Sequence, residues 1–127
     1  MQSIIRTTRN IHTFIKQSDI QSFKKCRFQA HLYTIETETD VALCQKDITA
    51  SKKHSNASHP HISGWILSNG VSGFDDNGES GAGKRLLTLL ENRNLQNTFV
   101  AVTRWYGGSH LGGARFRSIT KPAKEIL

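Results

Sequence analysis

Thr98-Phe99-Val100-Ala101-Val102-Thr103-Arg104-Trp105 is the stretch on which the fold turns. Four apolar residues stand in an unbroken row with β-branched neighbours, the pattern of a strand buried on both faces. Such a strand lies at the centre of a sheet. Strands are therefore expected on both sides of it, with helices packed on one face of the sheet.

Two glycine-rich loops stand near this strand. One follows it, Tyr106-Gly107-Gly108-Ser109-His110-Leu111-Gly112-Gly113, and one precedes it, Gly73-Phe74-Asp75-Asp76-Asn77-Gly78-Glu79-Ser80-Gly81-Ala82-Gly83. Glycine at this density marks backbone that takes φ > 0 or that a partner approaches closely. Each loop abuts an apolar-periodic segment that holds it in place.

Working outward, Ala82 to Asn92 is predicted to be a helix with Leu86, Leu87, Leu89 and Leu90 on its buried face, and Asn94 or Asn97 lies in the exit turn. Residues 115–127 are predicted to form a last helix, with Phe116, Ile119, Ala123 and Ile126 near one stripe and a kink or break expected at Pro122. Upstream, His61 to Leu67 is a strand, Asn69-Gly70 a hairpin turn, and Val71 to Phe74 the return strand. Arg27 to Ile35 is a further strand, rich in aromatic and β-branched residues. Thr37 opens a helix on which Val41, Leu43, Cys44 and Ile48 share a face, and residues 51–58 are a polar loop. The order is β-α-β-β-α-β-α. It describes a single α+β domain built on a small mixed β-sheet, preceded by an N-terminal arm over residues 1–24.

The chain has 127 residues, one domain's worth, and 17 Lys and Arg against 10 Asp and Glu give a formal charge of +7. That balance suits an anionic partner, either RNA or an acidic protein surface, and equally suits plain solubility. Cys26 and Cys44 have no metal-type spacing and suit free thiols in a reducing compartment. No apolar run reaches the roughly 20 residues of a membrane span. Residues 1–18 carry Arg6, Arg9 and Lys16 with no acid, which resembles a mitochondrial presequence in composition. The alternative is an ordinary N-terminal strand or arm and a cytoplasmic protein.

Asp75, Asp76 and Glu79 fall within five positions of the acidic loop. Carboxylates this close can share a divalent cation, or drive their pKa values apart for acid–base work. They can equally form a solvated turn that accepts N–H bonds at the start of the next helix. Ser80-Gly81-Ala82-Gly83-Lys84 looks like a phosphate cradle, but Arg85 stands where a P-loop needs Ser or Thr. His59 and His61 point the same way in a strand, yet a metal needs at least a third ligand. Arg104 and Tyr106, with the two glycines that follow, combine a cation, an aromatic ring and exposed backbone, the composition of an interface or of a base-stacking surface. Gly107 and Gly108 are expected to bring Arg104 and Tyr106 to the surface, with Arg115 and Arg117 in the same patch. Removing the charges of Arg104 and Arg117 would then leave stability nearly unchanged. Trp105 is expected to cap the core. No Ser-His-Asp order, Cys-His pair or nucleophile elbow stands out. The residues argue for no enzyme, and no catalytic residue, cofactor or metal is assigned.

Several of these segments together resemble the IMPACT family. They are Cys26-Arg27-Phe28-Gln29-Ala30-His31, Ala57-Ser58-His59, Asp76-Asn77-Gly78-Glu79, Ala82-Gly83-Lys84-Arg85-Leu86-Leu87, Val102-Thr103-Arg104-Trp105-Tyr106-Gly107-Gly108, Leu111-Gly112 and Arg115-Phe116-Arg117. The resemblance covers about residues 25–127 and is greatest to the eukaryotic members. It implies the ribosomal-protein-like fold of the second domain of small-subunit protein five. It implies translational control under amino-acid starvation, through the ribosome-associated activator of the starvation-sensing kinase, with actin and ribosomes as further partners. Two departures stand out. Residues 1–24 are too short for the RWD domain that eukaryotic regulators carry, and Asn77 occupies the second acid position of the family's D-D-G-E motif if Asp76 is the first; in the other register Asp75-Asp76 are the two acids and Asn77 is an insertion.

Three readings follow. The first is a non-enzymatic regulator of translation acting by protein–protein contact. Its binding surface is His59, Asp76, Gly78, Glu79, Arg104, Tyr106, Gly107, Gly108, Arg115 and Arg117. The second is direct RNA or ribosome binding through Arg104, Arg115, Arg117, Lys121 and Lys124. The third is a metal-dependent hydrolase on Asp75, Asp76, Glu79 and His59.

Overall fold

The computed structural model describes residues 12–127. Among the described residues, six strands and four helices follow the order β1 (Thr13–Gln17), β2 (Gln21–Phe23), β3 (Cys26–Thr34), α1 (Thr39–Thr49), α2 (Lys52–Ser55), β4 (His59–Ile66), β5 (Ser72–Asp75), α3 (Ala82–Asn92), β6 (Thr98–Trp105) and α4 (Ala114–Ile126). They form one sheet in the order β1-β3-β6-β4-β5, with β2 also paired to β3. The α+β class and the single small sheet are as the sequence implies. β6 sits at the centre, flanked by β3 and β4, and its residues Phe99 to Arg104 are all buried.

Two details differ from expectation. Every pairing is antiparallel, so the sheet is not mixed. The β3-to-β4 connection through α1 and α2 does link two strands of the same direction, but it leaves a gap of one strand. β6 fills that gap antiparallel to both neighbours.

The helices also cover both faces rather than one. Val41, Cys44 and Ile48 of α1 pack with Tyr33, Phe99 and Ala101 on one side. Leu86 and Leu90 of α3, with Ile119 and Ala123 of α4, pack with Phe28, Ala30, Val100 and Val102 on the other. Alternation along β6 sends successive apolar side chains to opposite faces, so both need a cover. At Gly64 on β4, a Cβ would lie 2.5 Å from the backbone nitrogen of Leu87, so the missing side chain is what lets α3 lie close to the sheet.

Residues 13–23 of the stretch read as an arm carry β1 and β2, an edge laid along β3. The presequence-like composition of residues 1–18 falls, for residues 1–11, outside the described residues. β2 and β3 join through Lys24 and Lys25, both at positive φ (49° and 71°), the geometry of a tight hairpin. The polar stretch 51–58 contains the four-residue helix α2. Pro122 does not end α4; it is buried beside Ile119, Ala123 and Ile126, and this packing offsets the hydrogen bond the ring forfeits. No helix among the described residues is long and apolar enough to cross a membrane.

Candidate functional site

Arg104 is the penultimate residue of β6, in register with Phe28 on β3 and His59 on β4. It continues the Val100, Val102 stripe toward α3 and α4. Its guanidinium lies 5.7 Å from the Phe28 ring centre and 5.9 Å from that of Tyr106. Arg104 is 5% exposed, which corrects the expectation that the glycines bring it to the surface. It is buried because it has a partner in the acidic loop: Nη1 donates to Glu79 Oε2, and Glu79 is itself 5% exposed. Nη2 donates to the Cys26 sulfur at 3.5 Å. Burial opposes the charge of Arg104, while the bonds to Cys26 and Glu79 outweigh it and hold its pKa above the usual guanidinium value.

Glu79 gathers further groups. His59 Nε2 stands 3.4 Å from its Oε2, and Arg115 Nε 3.3 Å from its Oε1. Arg115 Nε has no hydrogen bond of good geometry, so the contact with Glu79 is an ion pair by proximity only. His59 Nδ1 donates to the Asn77 carbonyl at 2.9 Å, which aims the opposite ring nitrogen at Glu79.

The other acids are spent locally. Asp76 accepts from Gly81 N at 3.0 Å and Gly83 N at 2.8 Å, satisfying the first turn of α3. Asp75 accepts from Asn77 N at 2.8 Å and Gln45 Nε2 at 2.9 Å. Asn77 takes φ 47°, a left-handed conformation that Asn tolerates well, and its Oδ1 accepts from His61 N at 2.8 Å. Asn77 is thus a turn residue tying the loop to β4. Among the described residues, no three His, Cys, Asp or Glu side chains are placed to hold a metal ion.

The second glycine loop folds over the β2–β3 turn. A Cβ on Gly107 would lie 1.9 Å from the Lys25 carbonyl oxygen, so only glycine permits this approach. Gly107 N donates to the Cys26 sulfur at 3.4 Å, and Tyr106 N to Ser58 Oγ at 2.9 Å. The Tyr106 side chain is 47% exposed. Trp105 does not cap either core cluster; its Nε1 donates to the Lys53 carbonyl at 3.1 Å and its ring lies 5.3 Å from the Arg27 guanidinium.

Together His59, Gly78, Glu79, Arg104, Tyr106 and Arg115 line one cleft of about 460 Å³. Asp76, Gly107 and Gly108 do not line it: Asp76 caps α3, and Gly107 lies against the Lys25 carbonyl. Arg117 is not part of this cleft: it lines grooves flanking α4 instead. His110 lines the cleft, its ring 6.0 Å from that of Tyr106, a role that no motif in the sequence marks. Its place in the glycine-rich loop was the available signal. Cys26 and Ser58 carried no signal beyond the resemblance, because their roles depend on strands far apart in sequence.

Residues 24–127 match the family model described as the Impact N-terminal domain. The chain is 35% identical over 115 residues to the Protein IMPACT homolog of Schizosaccharomyces pombe, an alignment covering 88% of this chain and 41% of that protein. It is 45% identical over 105 residues to an IMPACT family member of Saccharomyces cerevisiae, covering 76% of this chain and 62% of the relative. Human Protein IMPACT is 36% identical over 108 residues, covering 82% of this chain and 34% of the human protein. The chain therefore spans less than two thirds of the length of each. A crystal structure of a hypothetical protein superposes with TM-score 0.77 at 24% identity, over 90% of this chain and 58% of the other, which bears on the fold alone. A structure described as the two-domain translational regulator Yih1 superposes with TM-score 0.54 at 32% identity, over 86% of this chain and 44% of the other.

Proposed function

The chain belongs to the IMPACT family, and from that premise we propose that it is a non-enzymatic regulator of translation, working by protein–protein contact in the amino-acid-starvation response. The observation that carries this reading is the match, over 86% of this chain, to a structure described as a translational regulator. The state of the acidic loop supports a non-enzymatic mode. Asp76 holds the start of α3, Asp75 holds Asn77 and Gln45, and Glu79 is committed to Arg104. A hydrolase needs an acid or base free to reach a substrate proton. Here the carboxylates are held by the fold.

The contact surface is the rim of the Glu79 cleft, with Tyr106 as its exposed anchor and His110 and Arg115 beside it. Tyrosine and arginine are the residue types that dominate interface energetics. The partner is the ribosome-associated activator of the starvation-sensing kinase, and the setting is the cytoplasm. The test is capture of that activator from ribonuclease-treated lysate. Wild type is expected to retain it, and Tyr106→Ala to lose it at unchanged melting temperature. Capture that ribonuclease abolishes, or that Tyr106→Ala leaves intact, overturns the reading.

A further inference from the structure

A groove of about 460 Å³ lies between α4 and β2. Its lining includes Phe23 from β2 and Arg117, Lys121 and Lys124 from α4. Phe23 is 39% exposed, and Lys24 Nζ stands 5.6 Å from its ring centre. The groove's acid, Glu125, accepts a hydrogen bond from Gln21 Nε2, a link that ties β2 to α4. Arg117, Lys121 and Lys124 follow one another at four and three residues. They stand on one stripe of the helix and are exposed.

Arg117 and Lys124 also line a second groove, of about 880 Å³, between α4 and α3, where Lys84 and Arg85 join them and no Asp or Glu is present. The two grooves thus form one basic track across the ridge of α4. We propose that this track binds single-stranded RNA, with a base stacked on Phe23 and the phosphates on Arg117, Lys121 and Lys124.

Two features select a nucleic-acid strand over an acidic protein segment. Protein interfaces are depleted of charge at their centre and anchored by apolar side chains. Among the described residues, the exposed large apolar side chains are Phe14, Ile15, Phe23, Val71, Phe74 and Tyr106, and Phe23 alone lines this track. A single exposed ring beside a row of cations matches what a single strand needs: a stacking platform and a track for its backbone. Continuity across α4 favours a strand over a mononucleotide, which would occupy one groove only. The surface is distinct from the Tyr106 contact, and Arg117 takes its place here rather than in the cleft.

The test is fluorescence anisotropy of a short labelled oligouridylate with the full chain, repeated across salt concentrations. Three phosphate contacts predict a slope of log K against log salt near −2, at about 0.7 per contact for a single strand. Replacing both Lys121→Gln and Lys124→Gln should weaken binding and reduce that slope by roughly 1.4. Phe23→Leu, which keeps an apolar side chain and loses the stacking face, should weaken binding about tenfold with the slope unchanged. Wild-type affinity in Phe23→Leu, tighter binding to duplex RNA or to polyglutamate, or no binding at low salt overturns the proposal.

Discussion

Glu79 and Arg104, 25 residues apart, form an ion pair in which each residue is 5% exposed. It joins the acidic loop to the end of the central strand. Truncating Glu79 leaves Arg104 buried without a carboxylate, and truncating Arg104 leaves Glu79 buried with only the looser contacts to Arg115 and His59; breaking a buried pair typically costs about 3–5 kcal/mol. Arg104→Ala is therefore expected to be strongly destabilising, not silent as a surface charge would be. Glu79→Leu combined with Arg104→Met should cost less than either truncation, since no lone charge remains. Urea denaturation of the three variants measures this; a loss below about 1 kcal/mol for Arg104→Ala would place the pair outside the stability of the fold.

Two adjacent glycines make a paired prediction. Gly107 has φ outside the left-handed region, but its Cβ would overlap the Lys25 carbonyl at 1.9 Å. Gly108 has φ +94° with nothing within 4 Å of a Cβ. Gly108→Ala should cost only backbone strain, about 1–2 kcal/mol. Gly107→Ala must push the glycine loop off the β2–β3 turn and should cost more, with the Tyr106 surface disturbed as well. Thermal unfolding of both variants decides it, and equal losses would mean that the loop yields freely at Lys25.

The sequence located the regular elements well where burial writes a pattern. Thr98–Trp105 and Ala82–Asn92 have the bounds their apolar residues imply. β1 left no such pattern, because Thr13 to Gln17 are all exposed and no alternation marks them. α2 consists of Lys52, Lys53, His54 and Ser55, without one buried side chain. The turn at Lys24 and Lys25 takes positive φ without the Asn-Gly signal that marks such turns. At the site, the residue types were legible but their depth was not. A charged residue at a strand end reads as surface unless its partner is known, and Glu79 reaches Arg104 only once α3 is docked on the sheet. Arg117 stands two residues from Arg115 in sequence, but two positions along a helix turn a side chain to a different flank.

The sheet face under α1 and α2 holds a titration device. His31 is 3% exposed, and its Nε2 lies 2.8 Å from Thr103 Oγ1, which donates onward to the Pro60 carbonyl at 2.7 Å. Thr103 has thus spent its proton, so His31 Nε2 must donate to it. Burial lowers the His31 pKa from 6.5 to about 3, with the neighbouring His54 adding to the shift and Asp47 opposing it. The pKa of His54 is lowered too, by burial and then by Lys53. The Tyr33 hydroxyl, which donates to Asp47 on the same side, has its pKa raised by burial and by that bond. The unfolded chain takes up a proton on His31 near pH 6.5, while the folded chain holds it neutral down to about 3. Its contribution to stability is therefore complete above pH 6.5 and is lost as pH falls toward 3, at up to about 1.4 kcal/mol per pH unit. Between pH 7 and pH 5 His31 alone should remove about 2 kcal/mol. His31→Gln keeps a donor for Thr103 and cannot titrate, so its urea midpoint should change less over that interval. Equal losses in wild type and His31→Gln would show that other groups carry the acid sensitivity.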